Sequence, residues 1–327
     1  MAGVPDFRLP QAMGVRTMKG RGADGDLPGL LISGLTPGEV PVPADEATLR
    51  RLCRQFRLDL IELTARSGTG SSHIGGELSV VEILAVLFFR ALRLDPQQPE
   101  WAERDRFILS KGHASAAMYV AMAWRGFFPR ARLFNSFNRL HGLLQEHVNL
   151  TTPGAEIPTG SLGMGLSAGA GMAWGSRYLA RHEATRPWHV CVVLSDGDCT
   201  EGQTWEAAMS AAHFELDNLI AVVDVNRRFV TGPTRQVMNL EPLAAKWESF
   251  GWHVMHVDGH DLAALCEALD LARRKETSPG RPRIVLARTV NPDLVADAFR
   301  GYGGTVLRTT LSDTQRARVE ATLHGAR

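Results

Sequence analysis

Two patterns of apolar positions alternate along this chain. One is a short continuous run of Val, Ile and Leu that stops abruptly at turn-forming residues. His189 to Leu194, Leu219 to Val225, Trp252 to Val257 and Arg283 to Ala287 are of this kind. Runs so short and so uninterrupted predict strands covered on both faces, as in a parallel sheet. The other pattern is helical. From Asp45 to Thr64, apolar Leu49, Cys53, Phe56, Leu60 and Leu63 line one face. Further helices are predicted from Val80 to Ala91, from His113 to about Trp124, and from Pro158 to about Ala180. Others follow from Gln203 to Phe214, after Leu240, and from Asp261 to Leu271. The alternation predicts an α/β fold: a mostly parallel sheet with helices on both faces.

The pattern also divides the chain. Residues 1–44 are rich in Gly, Pro and charge and read as a loose arm ending in the connector PGEVPVPAD. Residues 45–290 carry the alternating elements and read as one domain. Residues 291–327 read as a C-terminal tail.

One unit concentrates the chemistry. The run ending at Leu194 enters the turn Ser195-Asp196-Gly197-Asp198, and the run ending at Val225 delivers Asn226. In a βαβ unit both strand ends open on the same edge of the sheet, where ligands gather. Asp196 and Asn226 are thus expected close together despite the thirty positions between them. A carboxylate with an amide oxygen suits a hard cation such as Mg²⁺ or Ca²⁺, completed by backbone carbonyls, water and phosphate oxygens. That makes the unit a candidate diphosphate anchor. On these residues alone, a plain surface turn with a strand-end Asn stays open.

Two histidines stand in suggestive places. His73 lies among the glycines of SGTGSSHIGGELS, where close backbone approach to a ligand is possible. His113 falls at a predicted helix start, as a cap or as a partner for an anion. Lys111 beside it either adds positive potential or points to solvent. Trp247, Phe250 and Trp252 read as core.

Composition narrows the class. The 327 residues carry a formal net charge of +1, so no global field favours nucleic acid or a membrane surface. No apolar run reaches membrane-spanning length, and the first residues lack the basic start and apolar core of a secretory signal. Cytoplasm is the expected compartment. Cys53, Cys191, Cys199 and Cys266 form no CxxC pair, which argues against a zinc site or disulfide framework. A nicotinamide-binding oxidoreductase would need a glycine fingerprint directly after an early strand; Gly70, Gly75 and Gly76 lack that strand.

Five pieces in order resemble one family. They are SSHIGGELSVVEIL, RDRFILSKGHASAAMY, PGAEIPTGSLGMGLSAGAGMA, the SDGD turn with Asn226, and NLEPLAAKWESFGWHVMHVDGHD. Together they resemble the N-terminal half of transketolase, especially the separately encoded N-terminal subunit of a split enzyme. The resemblance implies thiamine diphosphate held through Mg²⁺, with Ca²⁺ as a substitute. Asp196, Asn226 and the backbone carbonyl of Arg228 would hold the metal. His113 and Gly197 would touch the diphosphate, and Gly160 and Leu162 the thiazolium ring. His73 would lie by the cofactor and substrate channel. His147 has the spacing of a further active-site His, with His141 as the alternative. Glu201 would join the two halves through a hydrogen-bonded network. The partner implied is a C-terminal transketolase-like subunit whose pyrimidine-binding domain supplies an activating Glu, in an α2β2 hetero-oligomer. The reaction implied is two-carbon ketol or acyloin transfer between small carbonyl substrates.

The chain departs from the family pattern in places. Ile74 replaces a Pro after His73, Glu146 and Val148 replace the Gly and Pro flanking His147, and Ser195 replaces the first Gly of the metal motif. After Arg288 no His occurs until His324, where the family carries a His-Gly motif near the diphosphate. This departure leaves open a cofactor-binding or scaffolding subunit without catalysis.

Overall fold

The computed structural model describes residues 31–290 apart from 33, 68–71, 184, 275 and 277. Of the arm and connector expected over residues 1–44, residues 1–30 lie outside the described residues, as does the whole tail from 291, while Leu35, Val40 and Ala44 are buried in the core.

Helix α1 (Glu46–Arg66) opens the fold, with the Asp45 carboxylate accepting from Thr48 N at 2.8 Å to cap it. Helix α2 (Ile74–Leu78) and helix α3 (Val81–Val86) follow. One wide π-helical turn, Leu87–Ala91, completes the helix expected as far as Ala91. Strand β1 (Arg106–Leu109) was not marked out in the sequence as a strand. After it come α4 (Ser115–Arg125), α5 (Ala131–Ser136) and α6 (Met164–His182). Strand β2 (Val190–Ser195), helix α7 (Gly202–His213) and strand β3 (Leu219–Val225) form the central unit. A small hairpin of β4 (Arg228–Phe229) and β5 (Gly232–Pro233) leads through α8 (Thr234–Val237) to α9 (Leu243–Ser249). Strand β6 (His253–Asp258), helix α10 (Leu262–Ala272) and strand β7 (Arg283–Arg288) close the domain.

The five long strands form one sheet in the order β1-β2-β3-β7-β6, parallel throughout. Alternate side chains of the middle strands face opposite cores. Cys191, Val193, Ile220, Val222 and Val285 join the layer built from α1, α3, α4 and α10. Val190, Val192, Leu194, Ala221, Val223 and Ile284 join the layer of α6, α7 and α9. A strand buried on both sides has no polar alternation, and this is why these runs read as continuous. Trp247 and Trp252 are fully buried in the second layer, with Phe250 packed against it, as expected of core.

Two expectations need correction. The helix expected from Pro158 starts at Met164 instead. Gly160 at φ +146° and Gly163 at φ +80° hold left-handed conformations that a helix does not admit, so residues 158–163 form a loop. His73, expected inside a glycine loop, is the N-cap residue of α2. Among the described residues no helix is long and apolar enough to cross a membrane.

Candidate active site

The C-terminal tips of β2 and β3 meet. Ser195 pairs in register with Asp224, so Asp196 and Asn226 each leave the sheet at the same edge. The meeting is direct: Asp196 Oδ2 accepts from the backbone N–H of Arg227 at 2.7 Å. Asn226 Oδ1 accepts from Arg228 N at 3.0 Å, while its Nδ2 faces Asp224 Oδ2 at 3.2 Å. Arg228 itself is exposed and begins the β4–β5 hairpin. The second aspartate of the turn has a different task. Asp198 Oδ2 accepts from Ser195 N at 2.8 Å and from the Ser195 hydroxyl at 2.7 Å. Its Oδ1 accepts from Gly163 N at 2.9 Å and from the Ser110 hydroxyl. Asp198 therefore fastens three chain segments at once and has no valence left for a ligand. Its role was not legible in the sequence, where it is simply a fourth turn residue.

Asp196 is different. It is only 2% exposed, and its Oδ1 has no hydrogen-bond partner. Burial first, and then the nearby Asp224 carboxylate, push its pKa up to about 7, against the pull of Lys111. A buried carboxylate oxygen with nothing to bind is costly. A hard cation at Oδ1 would relieve that cost. Among the described residues no three His, Cys, Asp or Glu side chains converge as a metal site. The side-chain donors here are one carboxylate and one amide, so an ion would take the rest of its shell from backbone, phosphate and water. These residues fit Mg²⁺ bound to a diphosphate.

Next to this edge the glycine-bearing loops are pressed together. A Cβ on Gly112 would stand 2.7 Å from Thr159 and 2.9 Å from Gly160 N. A Cβ on Gly197 would stand 3.3 Å from Leu162 and 3.2 Å from the Ser195 hydroxyl. A Cβ on Gly76 would stand 3.1 Å from the His113 ring. Gly76, Gly112, Gly160, Leu162, Gly197 and His113 thus belong to one neighbourhood around the tips of β1 and β2. His113 sits in the 3₁₀ turn Gly112–Ala114 that leads into α4, as expected.

Three histidines gather here. The His73 and His113 rings are 5.4 Å apart, edge to face. A Cβ on Gly160 would stand 3.7 Å from the His147 ring, and His147 acts electrostatically on both His73 and His113. Burial, then Lys111, His73 and His147, push the His113 pKa down to about 2, so its ring is neutral. Burial also lowers His73, with Glu146 opposing from 3.6 Å. His73 Nδ1 is buried without a partner. His141 is exposed at φ +61°. It lines the wall of an open cavity of about 550 Å³ that His147 and Glu146 also line. Of the two candidates, His147 is the one set beside Gly160.

For Lys111 the structure decides between the two expectations, in favour of positive potential. It is fully buried rather than solvent-facing. Its Nζ lies 2.5 Å from Asp224 Oδ2 and donates to the Gly76 carbonyl at 2.9 Å. Asp224 also accepts from the Ser79 hydroxyl at 2.6 Å and from Thr289. This pair joins three strand ends beneath the site. The one hint in the sequence was an Asp inside an apolar strand, IAVVDV, which is rarely unpaired when buried.

Glu201 is apart from the histidines. It is exposed at the start of α7, its Cβ lying over Gly163.

Comparison with known proteins accounts for this arrangement. Residues 50–303 match the transketolase thiamine diphosphate-binding domain. The chain is 42% identical over 222 residues to the 6-deoxy-6-sulfo-D-fructose transketolase subunit SqwG of Clostridium sp. (strain MSTE9), covering 68% of this chain and 78% of that one. It is 34% identical over 245 residues to an apulose-4-phosphate transketolase subunit of Phocaeicola vulgatus, covering 74% and 82%. Against human transketolase it is 34% identical over 249 residues, covering 76% of this chain but 37% of that one. The crystal structure of Campylobacter jejuni transketolase superposes with a TM-score of 0.74 at 25% identity, over 86% of this chain and 43% of that one. The chain therefore spans less than half the length of the full transketolases it matches. The paired strand tips, the glycine-lined neighbourhood and the histidines all lie within the matched thiamine diphosphate-binding domain, and the chain belongs to the transketolase family.

Proposed function

We propose that this chain is the cofactor-anchoring subunit of a split transketolase-like enzyme, which transfers a two-carbon ketol or acyloin unit from a carbonyl donor to a carbonyl acceptor. Thiamine diphosphate, when bound, supplies the electron sink that lets a carbon–carbon bond beside a carbonyl break and form again. The chain's own residues anchor and orient. Asp196, Asn226 and the Arg228 carbonyl hold Mg²⁺, or Ca²⁺ in its place. His113, as a neutral donor, and Gly197 face the diphosphate. Gly160 and Leu162 lie along the ring. His73 and His147 hydrogen-bond substrate oxygens and carry protons, the neutral imidazole being suited to exchange near physiological pH.

The single observation behind this reading is the junction of two strand tips at a buried, unpartnered carboxylate oxygen on Asp196. Two of the relatives above are named as subunits, which supports a separate chain for the remaining domains. The exposed side chains Met164, Trp174 and Tyr178 of α6 and Met209 of α7, on the helices flanking Glu201, make a surface that a subunit contact would cover. In that assembly Glu201 links the two halves, and the partner's pyrimidine-binding domain brings the activating Glu.

The test is Mg²⁺-dependent thiamine diphosphate binding by Asp196→Ala and Asn226→Ala, measured by calorimetry. Each variant is expected to lose binding at least tenfold. Unchanged affinity in both removes the anchor. A second reading, a cofactor-binding subunit without turnover, is favoured by the absence of a His between Arg288 and His324. Saturable cofactor binding without donor cleavage, in the complex with its partner chain, would select it.

A further inference from the structure

Helix α2 carries a carboxyl group that the reading above leaves unused. Glu77 is 2% exposed. Its Oε1 accepts from the Ser72 hydroxyl, and its Oε2 is buried with no hydrogen-bond partner. The residue is built into the histidine pocket. Its backbone N–H donates to the His73 carbonyl at 3.1 Å, and its carboxyl is acted on by the His73 backbone. Its neighbour Gly76 packs on His113 and accepts from Lys111. Glu77 is thus tied at its carboxyl to Ser72 and at its backbone to His73, the two consecutive residues of the turn that carries the imidazole.

We propose that Glu77 is a positioning residue for His73, gripping its loop through Ser72 and passing its own gain and loss of a proton to the imidazole. This rests on His73 facing the substrate. An apolar residue would fill the space without leaving a carboxyl oxygen unpaired, so structural packing alone does not account for a glutamate here.

Burial pushes the Glu77 pKa up to about 7; the Ser72 hydroxyl, the His73 backbone and Lys111 resist, and Glu146 pushes the same way. Lys111 comes from the turn after β1 and Glu146 from the loop before Val148. Of the elements packed against α2, the 3₁₀ turn carries His113, α4 carries no charge before Arg125, and α1 ends in the ion pair of Glu62 with Arg66. The group therefore changes charge near neutrality, while His73 takes up its proton at lower pH.

The test is histidine-ring NMR on the full chain with Mg²⁺ and thiamine diphosphate, the His73 signal being assigned by its loss in His73→Gln. The wild-type signal is expected to move in two steps, one near neutrality from Glu77 and a lower one from the ring itself. Glu77→Gln keeps the shape but does not ionise, and should lose only the upper step. Ser72→Ala, which removes the hydroxyl that favours the carboxylate, should move the upper step to higher pH. A single step in the wild type, an unchanged curve in Glu77→Gln, or an unmoved upper step in Ser72→Ala overturns the proposal. Full turnover by His73→Gln in the assembled complex would instead overturn the role given to His73.

Discussion

At Lys111 and His113, burial decides what two ordinary side chains do. Lys111 and Asp224 are both fully buried and close enough to neutralise each other. Removing one partner strands the other's charge. Lys111→Met is expected to lower unfolding free energy in urea by about 3–5 kcal/mol, and Asp224→Asn in the same chain to restore part of it. His113 shows the opposite handling of charge, since burial keeps it neutral. Its folded pKa lies far below the ordinary 6.5, so its contribution is whole above that pH and is lost as pH falls. The loss amounts to at most about 1.4 kcal/mol per pH unit. Asp196 and Glu77 have raised pKa values and act in the opposite sense, losing stability as pH rises toward 7. His113→Asn should therefore raise stability at pH 5 relative to pH 7.5, read from melting temperatures at both. An identical pH dependence in the variant would mean that His113 takes up its proton in the fold.

Helix α6 owes its place to single glycines on one face. A Cβ on Gly169 would stand 2.5 Å from Val192 of β2, and one on Gly165 would stand 2.5 Å from Ser110. Gly171, on the outer face, has nothing within 4 Å. The two faces predict opposite outcomes for the same substitution. Gly169→Ala should cost about 1–3 kcal/mol by forcing the helix off the sheet. Gly171→Ala should gain about 0.5–1 kcal/mol, because alanine loses less backbone freedom in a helix. Thermal unfolding of the two variants checks both signs. Close seating of α6 also fixes the loop before it: Gly163 N donates to Asp198, so Leu162 and Gly160 are held over the turn that carries Asp196.

The sheet edge that carries Asp196 and Asn226 is built from this chain. The cofactor's other half, on the reading proposed above, depends on a second chain. The isolated protein is expected to bind thiamine diphosphate with Mg²⁺ and to turn over no donor. With the partner chain it should form a complex of two copies of each, seen by light scattering, and gain turnover, followed by mass spectrometry of donor and acceptor mixtures. Full turnover by the purified chain alone would reject the split assembly.

Most of the architecture could be read from the order of residues. Strands covered on both sides announce themselves as unbroken apolar runs, and β3 was expected over the residues it occupies. The Asp196–Asn226 pair was legible for the same reason, since both stand where such runs stop. Local signals failed where the answer depended on neighbours distant in the chain. Lys111 has the same letters around it whether it meets solvent or a carboxylate, and only the adjacency of β1, β2 and β3 brings Asp224 beneath it. Spacing favours His147 over the alternative His141, but only the packing of the Gly160 loop shows it beside the other histidines. Nothing in the sequence sets Glu77 apart; it is buried only because α1, α4 and the turn at His113 pack on its short helix. Periodicity reports which groups leave water, and tertiary contact decides which of them are left there without a partner.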